Sequence, residues 1–146
     1  MLTYQDVVAI LSEEKYAAST VYVPVTLDYT RTARARGYEI RALSGRPVAV
    51  LGIERLDLPG APCHIFSIQL THNCGDTLMR LEFGRAHTCP DKTLIEYPHL
   101  HTDDDPYPPA WDGCPLNGPE DTLVIVRQFL KRAGIDGRVE SQLLWH

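Results

Sequence analysis

The chain has 146 residues, which suffices for one domain with one hydrophobic core and excludes two domains of ordinary size. Apolar residues make up 44% and charged residues 23% of the chain, a composition that excludes intrinsic disorder. The formal net charge of −5 excludes attraction of the whole surface to nucleic acid. We therefore expect a single α+β domain over residues 1–146.

The first part of the chain carries signals for a helix and an irregular strand. Thr3, with Asp6 three residues later, predicts an N-cap, and the apolar residues that follow predict an amphipathic helix ending near Tyr16. Residues 21–27 predict a strand that Pro24 confines to a sheet edge or a bulge.

The middle of the chain is rich in strand signals. Residues 64–71 and 77–84 alternate apolar and polar side chains, which is typical of strands that bury one face. Turn-forming residues separate these two strands, and similar signals frame the rest of the middle. The other predicted strands are 38–43 and 48–54 around a turn at 44–47, and 93–101 after a turn at 89–92.

The end of the chain predicts a second helix. Glu120 and Asp121 place acidic groups at the positive end of its dipole, an apolar stripe follows, and Gly134 provides a natural stop. Residues 139–145 predict a last strand. A strand-rich middle with a helix at each end favours an antiparallel β-sheet of about five to six strands, with an N-terminal and a C-terminal helix packed on one face.

Charge is distributed unevenly along the chain. A basic stretch is interpreted as a guide for a phosphate-bearing substrate, and it comprises Arg31, Arg34, Arg36, Arg41 and Arg46. An acidic stretch in a proline-rich loop is interpreted as a surface for a basic protein partner, and it comprises Asp103, Asp104 and Asp105. Two solvated loops of opposite sign are the alternative explanation of both stretches.

The start of the chain and the cysteines bear on location and cofactors. The first sixteen residues lack a basic lead and a small-residue cleavage site, and no run reaches the ~20 apolar residues of a membrane span. This predicts a cytoplasmic protein without a membrane partner. Four cysteines without a CxxC pair predict reduced thiols rather than a disulfide framework.

Register arithmetic brings ionisable side chains together. A hairpin closed symmetrically about Pro90 and Asp91 sets Glu82 opposite His99, and a hairpin closed about residues 74 and 75 sets Gln69 opposite Arg80. The other face of the same strands is apolar and predicts the core. The predicted polar face holds Ser67, Gln69, Arg80, Glu82, Tyr97, His99 and His101.

This polar face suits cleavage of RNA without a metal cofactor. An imidazole beside a carboxylate is oriented for proton transfer, a second imidazole supplies the complementary acid or base, and a guanidinium stabilises phosphate charge. The predicted catalytic residues are His99, His101, Glu82, Arg80 and Tyr97. An ordinary polar sheet face is the structural alternative, because such pairs are common across strands.

A metal site is the chemical alternative. His99 and His101 have the spacing at which two imidazoles converge on one zinc ion, and His87, Cys89 or one of residues 103–105 would complete the site. Repulsion between Arg80 and a dication weighs against this hypothesis.

The segment 79–101 also resembles known proteins. It contains Arg80-Leu81-Glu82, then His87, then Pro98-His99-Leu100-His101. This order resembles that of a group of small bacterial and prophage proteins and is similar to the TumE family of toxin–antitoxin components. The resemblance implies a toxin-like protein that acts on RNA in a bacterial or phage system.

Two functions therefore remain open. The first is an endoribonuclease that uses the His/Glu/Arg face. The second is a non-enzymatic binding module, such as a phage-encoded inhibitor or a toxin-neutralising partner. The expected partners are accordingly RNA or a cognate protein, and a homodimer is left open as the oligomeric state.

Overall fold

Strands dominate the structure, a computed structural model that describes residues 1–25, 32–58, 61–84, 86–103, 105–118 and 120–143. The first half holds α1 (Tyr4–Ser12), β1 (Lys15–Ala17), β2 (Val21–Val25), β3 (Thr32–Ala42), β4 (Pro47–Leu58) and β5 (Ala61–His72). The second half holds β6 (Thr77–Phe83), β7 (His87–Thr88), β8 (Leu94–Ile95), β9 (His99–Thr102), α2 (Asp121–Arg132), β10 (Ile135–Asp136) and β11 (Val139–Leu143).

Seven strands form the main sheet, in the order β10-β1-β3-β4-β5-β6-β9. The strands from β3 to β6 follow one another along the chain and pair antiparallel, as the alternating pattern predicts. β10 adds parallel to β1 at one edge. β11 pairs parallel with β2 in a separate two-stranded sheet, and β7 pairs with β8 in another.

The prediction of an α+β fold with a five- to six-stranded antiparallel sheet is wrong. In the part of the chain that the structure describes, strands hold far more residues than helices, and the main sheet has seven strands and mixed direction. The extra strands are β1 and β10, which are three and two residues long. Runs this short carry no periodicity, and their pairing depends on residues about 120 positions apart, such as Lys15 and Ile135.

The first helix begins as predicted and ends early. Thr3 and Asp6 form a reciprocal capping box. The helix ends at Ser12 rather than near Tyr16 because the chain turns extended, and the buried Lys15 ammonium donates to the carbonyl oxygens of residues 10 and 13 at the helix end. This burial lowers the pKa of Lys15.

The core lies between the apolar face of the sheet and the helices. Ile68, Leu70 and Leu81 in the central strands have no exposed surface, as the alternation predicts. Phe129 of α2 belongs to the same apolar cluster. The predicted apolar face is confirmed, since these residues are all buried: Phe66, Ile68, Leu70, Met79, Leu81, Phe83 and Leu100.

The chain after β6 covers part of the opposite face of the sheet. Gly84 adopts φ +79°, a left-handed conformation that favours glycine, where the chain leaves β6. A short hairpin of β7 and β8 follows. Residues 109–111 then run beside β9 and hydrogen-bond to Leu100 and Pro98. Neither helix in these ranges is long and apolar enough to cross a membrane.

Candidate functional site

The predicted cross-strand pairs of β6 and β9 are present. Arg80 lies opposite His101, and Glu82 lies opposite His99. On the other side of β6, Gln69 lies opposite Arg80. Directly opposed residues project to one face of the sheet, so the two strands bring two imidazoles, a carboxylate and a guanidinium together.

The hairpin of β7 and β8 adds a third imidazole. The amide of Lys92 donates to the carbonyl oxygen of Cys89 and closes the turn. His87 then pairs with Ile95, so its ring reaches the polar face. The ring centroid of His87 lies 5.8 Å from that of His99 and 5.0 Å from that of His101, which are themselves 4.8 Å apart. We call these three side chains the imidazole cluster.

Each ring of the imidazole cluster is held by a backbone carbonyl oxygen. His99 Nδ1 lies 3.1 Å from the carbonyl oxygen of Tyr97, and His101 Nδ1 lies 3.3 Å from that of Asp105. His87 Nε2 lies 3.0 Å from the carbonyl oxygen of Pro106. A carbonyl only accepts, so each of these nitrogens carries its hydrogen. The lone pairs of the neutral rings are therefore on His87 Nδ1, His99 Nε2 and His101 Nε2.

Two of these lone-pair nitrogens are buried and have no hydrogen-bond partner among the residues that the structure describes. They are His99 Nε2 and His101 Nε2, and their side chains are 0% and 3% exposed. Leaving a buried polar atom unsatisfied costs about 1–3 kcal/mol. Two such atoms side by side indicate a binding site for a hydrogen-bond donor or a cation.

Glu82 borders the imidazole cluster on the side of Arg80. Its Oε2 lies 3.5 Å from His99 Nε2, which is longer than an N–H···O hydrogen bond of about 2.7–3.2 Å. Its Oε1 lies 3.1 Å from Arg80 Nε, an ion pair without hydrogen-bond alignment. The Glu82 side chain is 13% and the Arg80 side chain 35% exposed. The cluster is therefore bordered by partly solvent-accessible side chains on this side.

The surroundings of His101 disfavour its charged form. Burial lowers the pKa of His101, and the nearby positive charge of Arg80 lowers it further. The neighbouring rings His99 and His87 act in the same direction, while the Asp105 carbonyl opposes them. His101 is therefore held as a neutral ring with an available lone pair.

The structure places the other predicted catalytic residue differently. Tyr97 lies in a bend rather than in a strand, because the predicted strand 93–101 is interrupted between β8 and β9. Its side chain is about half exposed, and its recorded contact with the cluster is the backbone carbonyl oxygen that binds His99. Pro98 lacks an N–H for a ladder bond, which accounts for the interruption.

The structure does not bring the described part of the basic stretch to the imidazole cluster. Arg41 and Arg46 lie at the turn between β3 and β4, and three strands separate β3 from β9. Arg41 is paired with Glu39, which raises the pKa of the guanidinium. Arg34 lies opposite Glu54 in β3. Arg31 lies outside the described residues, and the side chains of Arg34 and Arg36 do too.

One residue of the acidic stretch, Asp105, contacts the imidazole cluster through its backbone. The backbone carbonyl of Asp105 holds His101, and its carboxylate accepts from the amide of Tyr107. Asp103 adopts φ +57° at the end of β9. Asp104 lies outside the described residues.

His87 is the residue that register reasoning missed as a member of the site. The symmetric closure that sets Glu82 opposite His99 does not include His87 among the residues of the polar face. A strand break at Pro98 was the available signal, since it frees residues 87–95 to close as a hairpin of their own. The carbonyl oxygens of Asp105 and Pro106 carry no sequence signal.

The imidazole cluster is also the set of side chains suited to a metal ion. One ligand nitrogen from each of His87, His99 and His101 lies within 4.8 Å of the others. In the described part of the chain, no cysteine or aspartate joins this group, so Cys89 and the Asp103 and Asp105 carboxylates do not complete it.

Comparison with known proteins gave no match, whether with protein-family models, with curated proteins or with solved structures. The resemblance to the TumE family therefore stays a prediction from the segment 79–101.

Proposed function

We propose that the protein is a toxin-like endoribonuclease that cleaves RNA in the bacterial cytoplasm at the imidazole cluster. The observation that carries the proposal is the grouping of Glu82 and Arg80 against the imidazole cluster at one partly open edge. The motif resemblance supports the same substrate class.

The proposed reaction is a transfer within the RNA chain. The ribose 2′ oxygen forms a bond to phosphorus while the bond from phosphorus to the 5′ oxygen breaks. The Glu82 carboxylate takes the 2′ proton, a water molecule gives a proton to the departing 5′ oxygen, and the proton on Glu82 then passes to the hydroxide that remains. The products are a 2′,3′-cyclic phosphate and a 5′-hydroxyl end.

The exposed part of Arg80 serves this reaction as the phosphate ligand. A guanidinium binds phosphate oxygens in bidentate geometry, and the Arg80 ion pair with Glu82 lacks the alignment that would occupy its donors fully. The remaining task falls to the imidazole cluster, where the free lone pairs of His99 Nε2 and His101 Nε2 accept a hydrogen bond from that water and hold it at the departing oxygen.

Glu82→Gln tests the proposal. We expect purified protein to cleave end-labelled single-stranded RNA in buffer with divalent metal ions, and Glu82→Gln to lower the rate by about 10²–10⁴-fold because the proton acceptor is lost. Glu96→Gln is the matched control, since Glu96 is exposed in the same hairpin region, and it should cleave like the wild type. DNA of the same sequence should stay intact because it lacks the 2′-hydroxyl.

Intact RNA with the wild type, or equal rates for Glu82→Gln and Glu96→Gln, would remove this function. The binding module would then be the remaining hypothesis. No observation favours it independently, because Asp105 is engaged within its own loop.

A further inference from the structure

We propose that the imidazole cluster binds one divalent transition-metal ion, with zinc as the best fit, through His87 Nδ1, His99 Nε2 and His101 Nε2. Glu82 lies beside the ion in this proposal. Metal binding stands on the geometry of the cluster, and only its catalytic consequence rests on the proposed function.

The first support is the convergence of three lone pairs. One ring nitrogen from each of the three histidines lies within 4.8 Å of the others. Three nitrogens about 2.0–2.1 Å from a tetrahedral zinc ion are about 3.4 Å apart. Small rotations of the rings therefore bring them to bonding distance.

The second support is the way in which the rings are held. A histidine that ligates a metal almost always donates its other N–H to a carbonyl or carboxylate, which fixes the tautomer and aims the lone pair. All three rings do so, toward the carbonyl oxygens of Tyr97, Asp105 and Pro106. Carbonyl oxygens from two segments, residue 97 and residues 105–106, thus leave the second nitrogen of each ring free to bind an ion.

The third support is the set of polar atoms that surround the proposed position of the ion. His99 Nε2 and His101 Nε2 are buried without partners, and Glu82 Oε2 faces His99 Nε2 at 3.5 Å. Arg80 offsets part of the charge of Glu82 but provides no partner for the two nitrogens. A cation bound by the nitrogens would satisfy both of them and would be attracted by the nearby carboxylate.

The donor set selects the kind of metal. Imidazole suits zinc, copper, iron and nickel, whereas magnesium and calcium prefer oxygen ligands. Three protein ligands with a free fourth position are typical of catalytic zinc rather than structural zinc. Repulsion from Arg80 is reduced because Glu82 pairs with it and lies between the guanidinium and His99.

The ion gives the imidazole cluster its chemical task. A water molecule in the fourth position becomes a stronger acid on the metal. When bound, the ion would hold and acidify a water that could protonate the departing 5′ oxygen, and the proton that Glu82 takes from the 2′-hydroxyl would restore that water. The sequence-based expectation of cleavage without a metal is untested, and the tautomers of the three rings favour a metal ion.

Titration of chelator-treated protein with Zn²⁺ and Co²⁺ tests the proposal. We expect one equivalent to bind, with Co²⁺ giving the visible absorption of a four-coordinate site. His87→Gln should weaken binding at least about 100-fold because it removes one of three ligands. We choose His87 because its ring is only partly buried, so the fold tolerates the change. His72→Gln, at the end of β5, is the control and should bind like the wild type.

The outcomes separate the metal site from the proposed function. One equivalent bound by the wild type and lost in His87→Gln supports the site, whether or not RNA is cleaved. Less than half an equivalent bound by the wild type, or equal affinity in His87→Gln and His72→Gln, overturns it. RNA cleavage at the full rate in the presence of a chelator would support the proposed function and would show that the reaction does not need the metal ion.

Discussion

At the scale of single residues, His101 combines deep burial with three positively charged or ionisable neighbours. Arg80, His99 and His87 disfavour its protonated form, and only the Asp105 carbonyl favours it. A neutral ring in this position keeps a lone pair for a ligand. The same arrangement makes the fold sensitive to acid.

The free energy of unfolding should fall as the pH drops below about 6.5. There the unfolded chain binds a proton at His101 that the folded chain does not, because burial lowers the pKa of His101 from its usual 6.5. Urea unfolding with chelator at pH 7.5 and 5.5 measures this loss. His101→Gln should reduce it, whereas His72→Gln should leave it unchanged. Equal losses in all three proteins would contradict the assignment.

Much of the site could be predicted at this scale. The pairs Arg80 with His101 and Glu82 with His99 follow from two-residue periodicity and from turn residues that are close in sequence. The third imidazole could not be predicted in the same way. His87 reaches the others through a hairpin whose position depends on Gly84 and on contacts with residues 105–106.

At the scale of elements, the end of α2 is fixed by a glycine. Gly134 follows the helix with φ +70°, and an added Cβ would lie 2.9 Å from the carbonyl oxygen of Glu13 and 3.0 Å from that of Leu11. At Gly134, a left-handed backbone conformation coincides with a close approach of the end of α1. Both features favour glycine.

Gly134→Ala should therefore lower the free energy of unfolding by about 1–3 kcal/mol, since it adds backbone strain and displaces the end of α1. Chemical denaturation measures the change. Gly52→Ala is the matched control, because its Cβ would meet no atom within 4 Å. A loss from Gly134→Ala no larger than that from Gly52→Ala would show that the close approach is absent.

Elements with local signals were predicted more accurately than elements without them. The capping box of α1, the turns after β3 and β5, and the stop at Gly134 all match the sequence analysis. The strand 93–101 was predicted as continuous, but Pro98 and the separate closure of the hairpin divide it.

At the scale of the whole molecule, long-range pairing decides the architecture. β1 joins β10 and β2 joins β11, so the two ends of the chain meet in parallel pairs. Parallel pairs between distant segments leave no local pattern, which is why the sequence predicted an antiparallel sheet. The local hairpins that carry the site do not depend on those pairs, so the site was more predictable than the fold.

The central claim is that three imidazoles converge on one metal ion at the edge of the main sheet. Anomalous diffraction at the zinc absorption edge, from crystals grown with Zn²⁺, tests it directly. We predict one strong peak about 2.0–2.1 Å from His87 Nδ1, His99 Nε2 and His101 Nε2. The absence of a peak at these three nitrogens, whether or not zinc binds elsewhere on the chain, would contradict the account.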